Sequence, residues 1–524
     1  MKSRSAESPG IWYGLGAIAL LAGLALRLQL ASVAETPGHG DSAFYYTVAK
    51  NIVEGRGLVV DYVVYFFLGL VPITHYAGDF WNPLAEILLS WPMLLLGKSV
   101  FNALLASIVT GIVPAVVGFL AGRRFAHSLI VGVLAGVLTF FAPYLVLVSV
   151  LTEAIIFFGA FGSLALFFTA KGRSNPRYFL LAAMCTGLAH FVRQDGILLL
   201  LTLLACLALA PIPWQKRMGI AAAALAFHAL MISPMLIRNF VTYGSPLQPG
   251  PASTVFMTSY EDFHAYGKDM SWDTLRAEWG VRGIITRRLH TASENLGQLK
   301  NFLDPVLLFL ASLGAVNAVL TRQQHRDWHV LVPPLIFFAL VFGFYTVLVS
   351  FSGPGSLPKS LAVLLPFVCI LAVDLFSSRI RSLPLLAAVV IGFAAFLGYR
   401  GYSRSYAATV IWNQDYRHYD AVRLIIDADA RAQGTNPNDV VIMARDVWDV
   451  HEGTGFKGVM IPNNDLETIL FVAGHYGVDY MLLPAPREAL EDIYNGTTPD
   501  PRLVLIADVD GTDWKIFRIQ PQAP

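Results

Sequence analysis

Residues 100–121 contain no charged side chain and only scattered hydroxyl and amide groups. A run of that length matches the roughly 20 residues a helix needs to cross a hydrocarbon core about 30 Å thick. Inside such a core every backbone N–H and C=O must be satisfied within the chain, which leaves a helix or a closed barrel. The run is too long for a barrel strand, so it is read as a helix. Comparable runs recur at 11–33, 128–147, 153–170, 178–192, 196–212, 218–237, 302–320, 329–350, 360–376 and 383–399. Together they predict about eleven crossings. The 14% charged content over 524 residues agrees with this, since soluble domains carry about a quarter.

Lys and Arg in short connections orient such a bundle. Lys2 and Arg4, Arg123 and Arg124, Lys171, Arg173 and Arg177, Lys216 and Arg217, Arg322 and Arg326, and Arg379 and Arg381 fall on one side if the spans alternate. That side is the cytoplasm. The first span has a basic start, but its apolar stretch is longer than a signal-peptide core, and no small-residue cleavage pattern follows, so it is read as a retained helix. The localisation expected is the plasma (inner) membrane, multi-pass, with the N-terminus cytoplasmic. Outside lie a loop at 34–99, a second at 239–300 and the whole tail.

The expected fold class is therefore a polytopic α-helical membrane protein with a small C-terminal extracytoplasmic α/β domain. Residues 1–400 form the transmembrane module and 401–524 the outer domain. In the tail, helical periodicity covers Tyr416 to Asp429 and Leu466 to Tyr476. Strand patterns cover Val440 to Ala444, Gly458 to Pro462, Asp479 to Leu483, Leu503 to Asp508 and Trp514 to Ile519. No glycine-rich phosphate loop follows a strand, and Gly453-Thr454-Gly455 reads as a short loop. Cys185, Cys206 and Cys369 sit apart within spans and read as packing residues. The formal net charge of +1 argues against a nucleic-acid partner.

Candidate chemistry gathers at the outer ends. Asp41 starts a helix whose apolar stripe is Phe44, Tyr45, Val48, Ala49, Ile52 and Val53, opposite Thr47, Lys50, Asn51 and Glu54, and Gly55-Arg56-Gly57 ends it. That pattern predicts a helix lying on the membrane surface. Asp41 is a general-base candidate, with the plainer alternative that Asp41 or Ser42 caps the helix. Further along, Thr74 to Leu84 is an aromatic and polar cluster containing His75, Asp79 and Trp81. It leads into Leu84 to Leu96, read as a second interfacial helix. No His or Cys at metal-ligand spacing accompanies His75.

Glu153 lies in an otherwise apolar stretch, where an ionisable group is a functional candidate by default, its plain alternative being a pair with a helix-end cation. Arg193 and Asp195 occupy an outward turn, Arg238 closes the seventh span, and Lys359 precedes the tenth. Singly each of the three cations reads equally as a snorkelling side chain. Together they point to an anionic ligand at the outer leaflet, with a lipid phosphate the obvious class.

In order along the chain, these pieces resemble the polytopic bacterial glycosyltransferases of the GT-C superfamily, related to protein O-mannosyltransferases and lipid A aminoarabinose transferases. The pieces are Gly-Asp-Ser-Ala-Phe-Tyr-Tyr at 40–46, Asp-Phe-Trp-Asn-Pro-Leu at 79–84, Leu-Thr-Glu at 151–153, Phe-Val-Arg-Gln-Asp-Gly at 191–196, Ile-Arg-Asn-Phe-Val-Thr-Tyr-Gly-Ser-Pro-Leu at 237–247, and Lys359 to Phe367. The resemblance implies inverting transfer of a sugar from a polyprenyl-phosphate donor to an acceptor hydroxyl on the outer face, with Asp41 as base. It implies donor- or acceptor-binding roles for Tyr45, His75, Asp79, Trp81, Glu153, Arg193, Asp195, Arg238 and Lys359. No cofactor is assigned, and a divalent metal remains compatible. The partners implied are the lipid-linked donor, membrane lipids and an acceptor glycan, lipid or protein. Two departures stand out. Relatives often carry an acidic pair where Asp41 is followed by Ser42, and Lys359 stands where Arg or His is expected. The rival readings are a polyprenyl-lipid flippase or transporter, disfavoured by the lack of internal repeats, and a sensor or scaffold, which leaves Glu153 unexplained.

Overall fold

A computed structural model describes residues 9–520 except 67, 322–324, 350, 352 and 486–487. Lys2, Arg4 and Arg322, used above for orientation, and Ser352 lie outside the described residues. The chain divides into two compact units. The first comprises residues 1–33, 81–247 and 286–407, and the second 34–80, 248–285 and 408–524.

The first unit is helical. Among the described residues seven helices are long and apolar enough to cross a membrane, and the pair Trp272–Phe302 and Pro305–Leu320, bent by 107°, counts as an eighth if taken as one span. Shorter apolar helices occupy Leu84–Leu96, Leu129–Phe140, Arg177–Val192 and Gly196–Ala208. Each of the eleven segments read from hydropathy thus carries a helix. The protein is a multi-pass membrane protein.

Close helix approach in this unit follows from small residues, as expected where lipid offers no hydrophobic drive for association. Gly118 and Gly122 on helix Ile112–Ala126 face Ala135 of helix Leu129–Phe140, and Gly132 and Gly136 of the latter face Phe119 of the former. A Cβ on Gly132 would lie 2.7 Å from the Phe119 carbonyl oxygen, and one on Gly118 would lie 2.6 Å from the Thr139 hydroxyl.

The second unit holds two sheets. Strands β1 (Val59–Val60) and β3 (His75–Tyr76) pair antiparallel. The larger sheet contains β2 (Tyr62–Val63), β4 (Val441–Ala444), β5 (Lys457–Met460), β6 (Tyr480–Leu483), β7 (Leu503–Asp508) and β8 (Lys515–Ile519) in the order β2-β5-β4-β6-β8-β7. The first four in that order run parallel, while β8 and β7 join antiparallel. The fully buried β4, Val-Ile-Met-Ala, shows the continuous apolar run that a strand covered on both faces requires.

Three expectations are corrected here. The tail is not self-contained, because the first outer loop supplies the edge strand β2, with Tyr62 opposite Gly458. Two residues give no periodicity to read. The helix expected at Tyr416 to Asp429 and the last span are one continuous helix, Leu383–Ala432, of 50 residues, with the division between units falling inside it. Finally, Gly453 and Thr454, read as part of a short loop, instead end a helix, Val447–Thr454, that the sequence did not suggest, and Gly455 closes it at φ 79°.

Candidate functional site

In the first unit, polar groups gather where helices break. Helix Pro143–Val148 stops, residues 149–153 run non-helically, and helix Ala154–Gly172 restarts with Glu153 at its N-cap. Non-helical backbone at membrane depth is tolerated only when protein surrounds it, and Ser149, Thr152 and Glu153 are all buried. The buried Ser107 hydroxyl donates to the Leu151 carbonyl, left without a helical partner by the break, at 2.9 Å. Glu153 therefore sits at a helix N-terminus, where the helix dipole favours a carboxylate, and not within a span. Lys359 Nζ lies 3.3 Å from its Oε2.

A second break, residues 193–195, lies between helices Arg177–Val192 and Gly196–Ala208. Arg193 Nε donates to Asp195 Oδ1 at 3.1 Å, and its guanidinium stands over the Phe158 ring at 5.6 Å. Asp195 Oδ2 also accepts from the Tyr345 hydroxyl at 3.4 Å and from the Ser360 hydroxyl. Tyr345 sits on the π-helical turn Phe344–Leu348, an interruption frequent at functional sites. Ser360 is the immediate neighbour of Lys359 on helix Gly353–Leu361. Tyr144 lies within electrostatic reach of Lys359, Glu153 and Arg193. The two breaks thus form one cluster in which two cations are each held by a buried carboxylate. Arg238 lies on helix Trp214–Tyr243, its guanidinium 4.9 Å from the Tyr243 ring centroid, and its Nη1 donates to Asn239 Oδ1 at 3.0 Å. Trp81 is half-buried at the start of segment 81–247.

In the second unit, helix Gly40–Val53 carries Asp41 in its first turn. His39, not Asp41 or Ser42, is the N-cap, with no side-chain capping bond. Nor does this helix lie on a bilayer. Phe44 to Ala49 are all buried, including Thr47 on the face expected to be polar. It packs instead on helix Val447–Thr454, where Thr47 Oγ1 and Lys50 Nζ donate to Glu452 Oε2 at 2.8 and 2.7 Å. Gly40 makes this docking sterically possible, since a Cβ there would lie 2.0 Å from Trp448 Nε1.

Around Asp41 stand groups that sequence reasoning missed. The Asp41 charge acts on Tyr65 and on Asp449. Burial pushes Asp449 up to about 7, and the neighbouring Asp446 and Asp41 charges add to the rise against a 2.8 Å hydrogen bond from the Tyr416 hydroxyl. Tyr65 stacks on His264 at 5.8 Å and tilts against Phe80 at 4.8 Å. No spacing rule links residues 41, 65, 416 and 449, so only the fold brings them together. Tyr45 is buried with its ring edge against Phe44. His75 pairs with Asp79 at 3.2 Å. Among the described residues no three His, Cys, Asp or Glu converge as metal ligands.

No family model and no curated protein matches the chain. Solved structures do. ArnT from Cupriavidus metallidurans bound to undecaprenyl phosphate aligns over 97% of this chain and 99% of its own, with TM-score 0.58 at 13% identity. The chain shares this fold. The archaeal oligosaccharyltransferase AglB from Archaeoglobus fulgidus, in complex with an inhibitory peptide and a dolichol-phosphate, aligns over 89% of this chain and 69% of its own, with TM-score 0.56 at 12% identity. Identity this low carries the architecture and leaves the chemistry to the residues of the two clusters.

Proposed function

We propose that the protein is an inverting glycosyltransferase that moves a sugar from a polyprenyl-phosphate donor to an acceptor hydroxyl at the outer face of the plasma (inner) membrane. The observation that carries this reading is the cluster of Arg193 and Lys359, each held by a buried carboxylate at a helix break. It occurs in a fold shared with two proteins solved with undecaprenyl or dolichol phosphate. The acceptor hydroxyl attacks the anomeric carbon, the bond from that carbon to the phosphate oxygen breaks, and its electron pair stays with the phosphate. Asp41 takes the hydroxyl proton. Arg193 and Lys359 stabilise the charge growing on the phosphate. The phosphate leaves without protonation, so no acid partner is needed. The N-terminus is cytoplasmic in this reading and residues 401–524 are extracytoplasmic, with the acceptor a glycan, lipid or protein.

The test is transfer by the purified full chain in nanodiscs, using radiolabelled polyprenyl-phosphate sugars and an envelope acceptor. Wild type should transfer at least one sugar, and Asp41→Asn should lower the rate by about 10²–10⁴. Lipid translocation without transfer, unchanged in the variant, would instead establish the flippase reading.

A further inference from the structure

A buried polar chain in the first unit is used by none of the steps above. Thr186 on helix Arg177–Val192 and His228 on helix Trp214–Tyr243 are buried, while His190, one helical turn beyond Thr186, is half-buried. Thr186 Oγ1 lies 2.8 Å from the Ala183 carbonyl oxygen and 3.0 Å from His228 Nδ1. His228 Nε2 lies 3.0 Å from His190 Nδ1.

These contacts give the chain a direction. A hydroxyl carries one proton. If Thr186 donated to His228, its oxygen would face the Ala183 oxygen at 2.8 Å with no proton between them. Thr186 therefore donates to Ala183 and accepts from His228 Nδ1–H. His228 Nε2 is then the acceptor for His190 Nδ1–H. The end of the chain is a neutral His190 whose Nε2 carries a bare lone pair, and among the described residues it has no hydrogen-bond partner. The position of that nitrogen is also held from the backbone, because Asn82 Nδ2 donates to the His190 carbonyl at 2.5 Å and Gly196 packs against the His190 main chain.

We propose that His190 is a binding residue that accepts a hydrogen bond from a hydroxyl of the sugar carried by the donor, and that His228 and Thr186 are positioning residues that hold its tautomer. The proposal rests on the transfer reading above. An ionised phosphate offers only acceptors and would face the lone pair unfavourably. A sugar hydroxyl offers the donor it needs. The placement suits this, since His190 lies three residues before Arg193, and Asp195 is close enough for its charge to act on the ring. The sugar would thus be read beside the cation that receives its phosphate.

The test uses the full chain in nanodiscs with isotope-labelled histidine, the His190 signals being assigned through His190→Gln. Wild-type His190 should be protonated at Nδ1 and bare at Nε2. Adding a sugar-bearing undecaprenyl phosphate should move the Nε2 signal, and bare undecaprenyl phosphate should not. His228→Phe should return His190 to the Nε2–H form and weaken the sugar-bearing lipid about tenfold while changing bare-lipid affinity less than about twofold. The opposite tautomer in wild type overturns the proposal, as does an equal response to both lipids or no response while both bind. Failure of either lipid to bind wild type at all would refute the transfer reading itself. Because the tautomer and the lipid response are read in wild type, a His228→Phe chain that fails to fold leaves the test intact.

Discussion

Removing Lys359 tests whether its contact with Glu153 is an architectural pair as well as a phosphate contact. At 3.3 Å the gross attraction is about 5 kcal/mol at an effective dielectric constant of about 20. Lys359→Met leaves the Glu153 carboxylate 1% exposed and without that cation. Breaking a buried pair this way costs about 3–5 kcal/mol. The Lys359 side chain is 22% exposed, and the helix N-terminus still favours the charge, so the expected loss is about 2–4 kcal/mol. For a chain of this size that lowers the unfolding temperature by roughly 2–4 °C. Lys359→Met with Glu153→Gln removes both charges and should recover stability to within about 1 kcal/mol of wild type. Transfer should stay lost in the single and the double variant, because the phosphate contact is gone from both. Unfolding followed by tryptophan fluorescence in nanodiscs reads the first quantity and radiolabelled sugar transfer the second. If Lys359→Met is as stable as wild type, or if the double variant is no better than the single, the pair does not stabilise this helix break and the reasoning is wrong.

The second unit makes two further predictions. Because Asp449 is held up to about 7 against about 3.9 when unfolded, the folded form keeps a proton that the unfolded chain releases. That contribution is complete below about pH 4 and is lost as pH rises through about 7. Asp449→Asn should therefore leave stability near pH 4 unchanged and raise it above pH 7 by on the order of 2–4 kcal/mol. Denaturant midpoints of both proteins across that range check this, and parallel pH profiles would refute it. Gly40→Ala places a methyl 2.0 Å from Trp448 Nε1. It should destabilise the docking of helix Gly40–Val53 by about 1–3 kcal/mol, seen as faster proteolysis of the 34–80 segment, and unchanged digestion would count against the packing described.

The membrane helices were legible because hydropathy acts locally. A run of apolar residues as long as the bilayer is thick has few alternatives to a helix. Helix Leu466–Tyr476 and strand Leu503–Asp508 were read to the residue for a related reason, since one buried face imposes a period of 3.6 or 2. Charges inside apolar stretches were legible as functional candidates, and the structure does join Glu153 to Lys359 and Arg193 to Asp195.

What the sequence by itself determined is the long helices, the longer strands and the cost of each buried charge, because these depend on side chains within a few turns of one another. Only the tertiary structure decided which elements meet. Strand β2 is two residues long and owes its existence to β5, nearly 400 positions away along the chain. Thr47 on the polar face of helix Gly40–Val53 is buried because Glu452 accepts from it and from Lys50. Histidines 190 and 228 carry no signal at their spacing, yet a Thr186 hydroxyl committed to its own helix sets the tautomer of both. Hydrogen bonds between distant segments have no period, so they leave no trace in the order of the residues that make them.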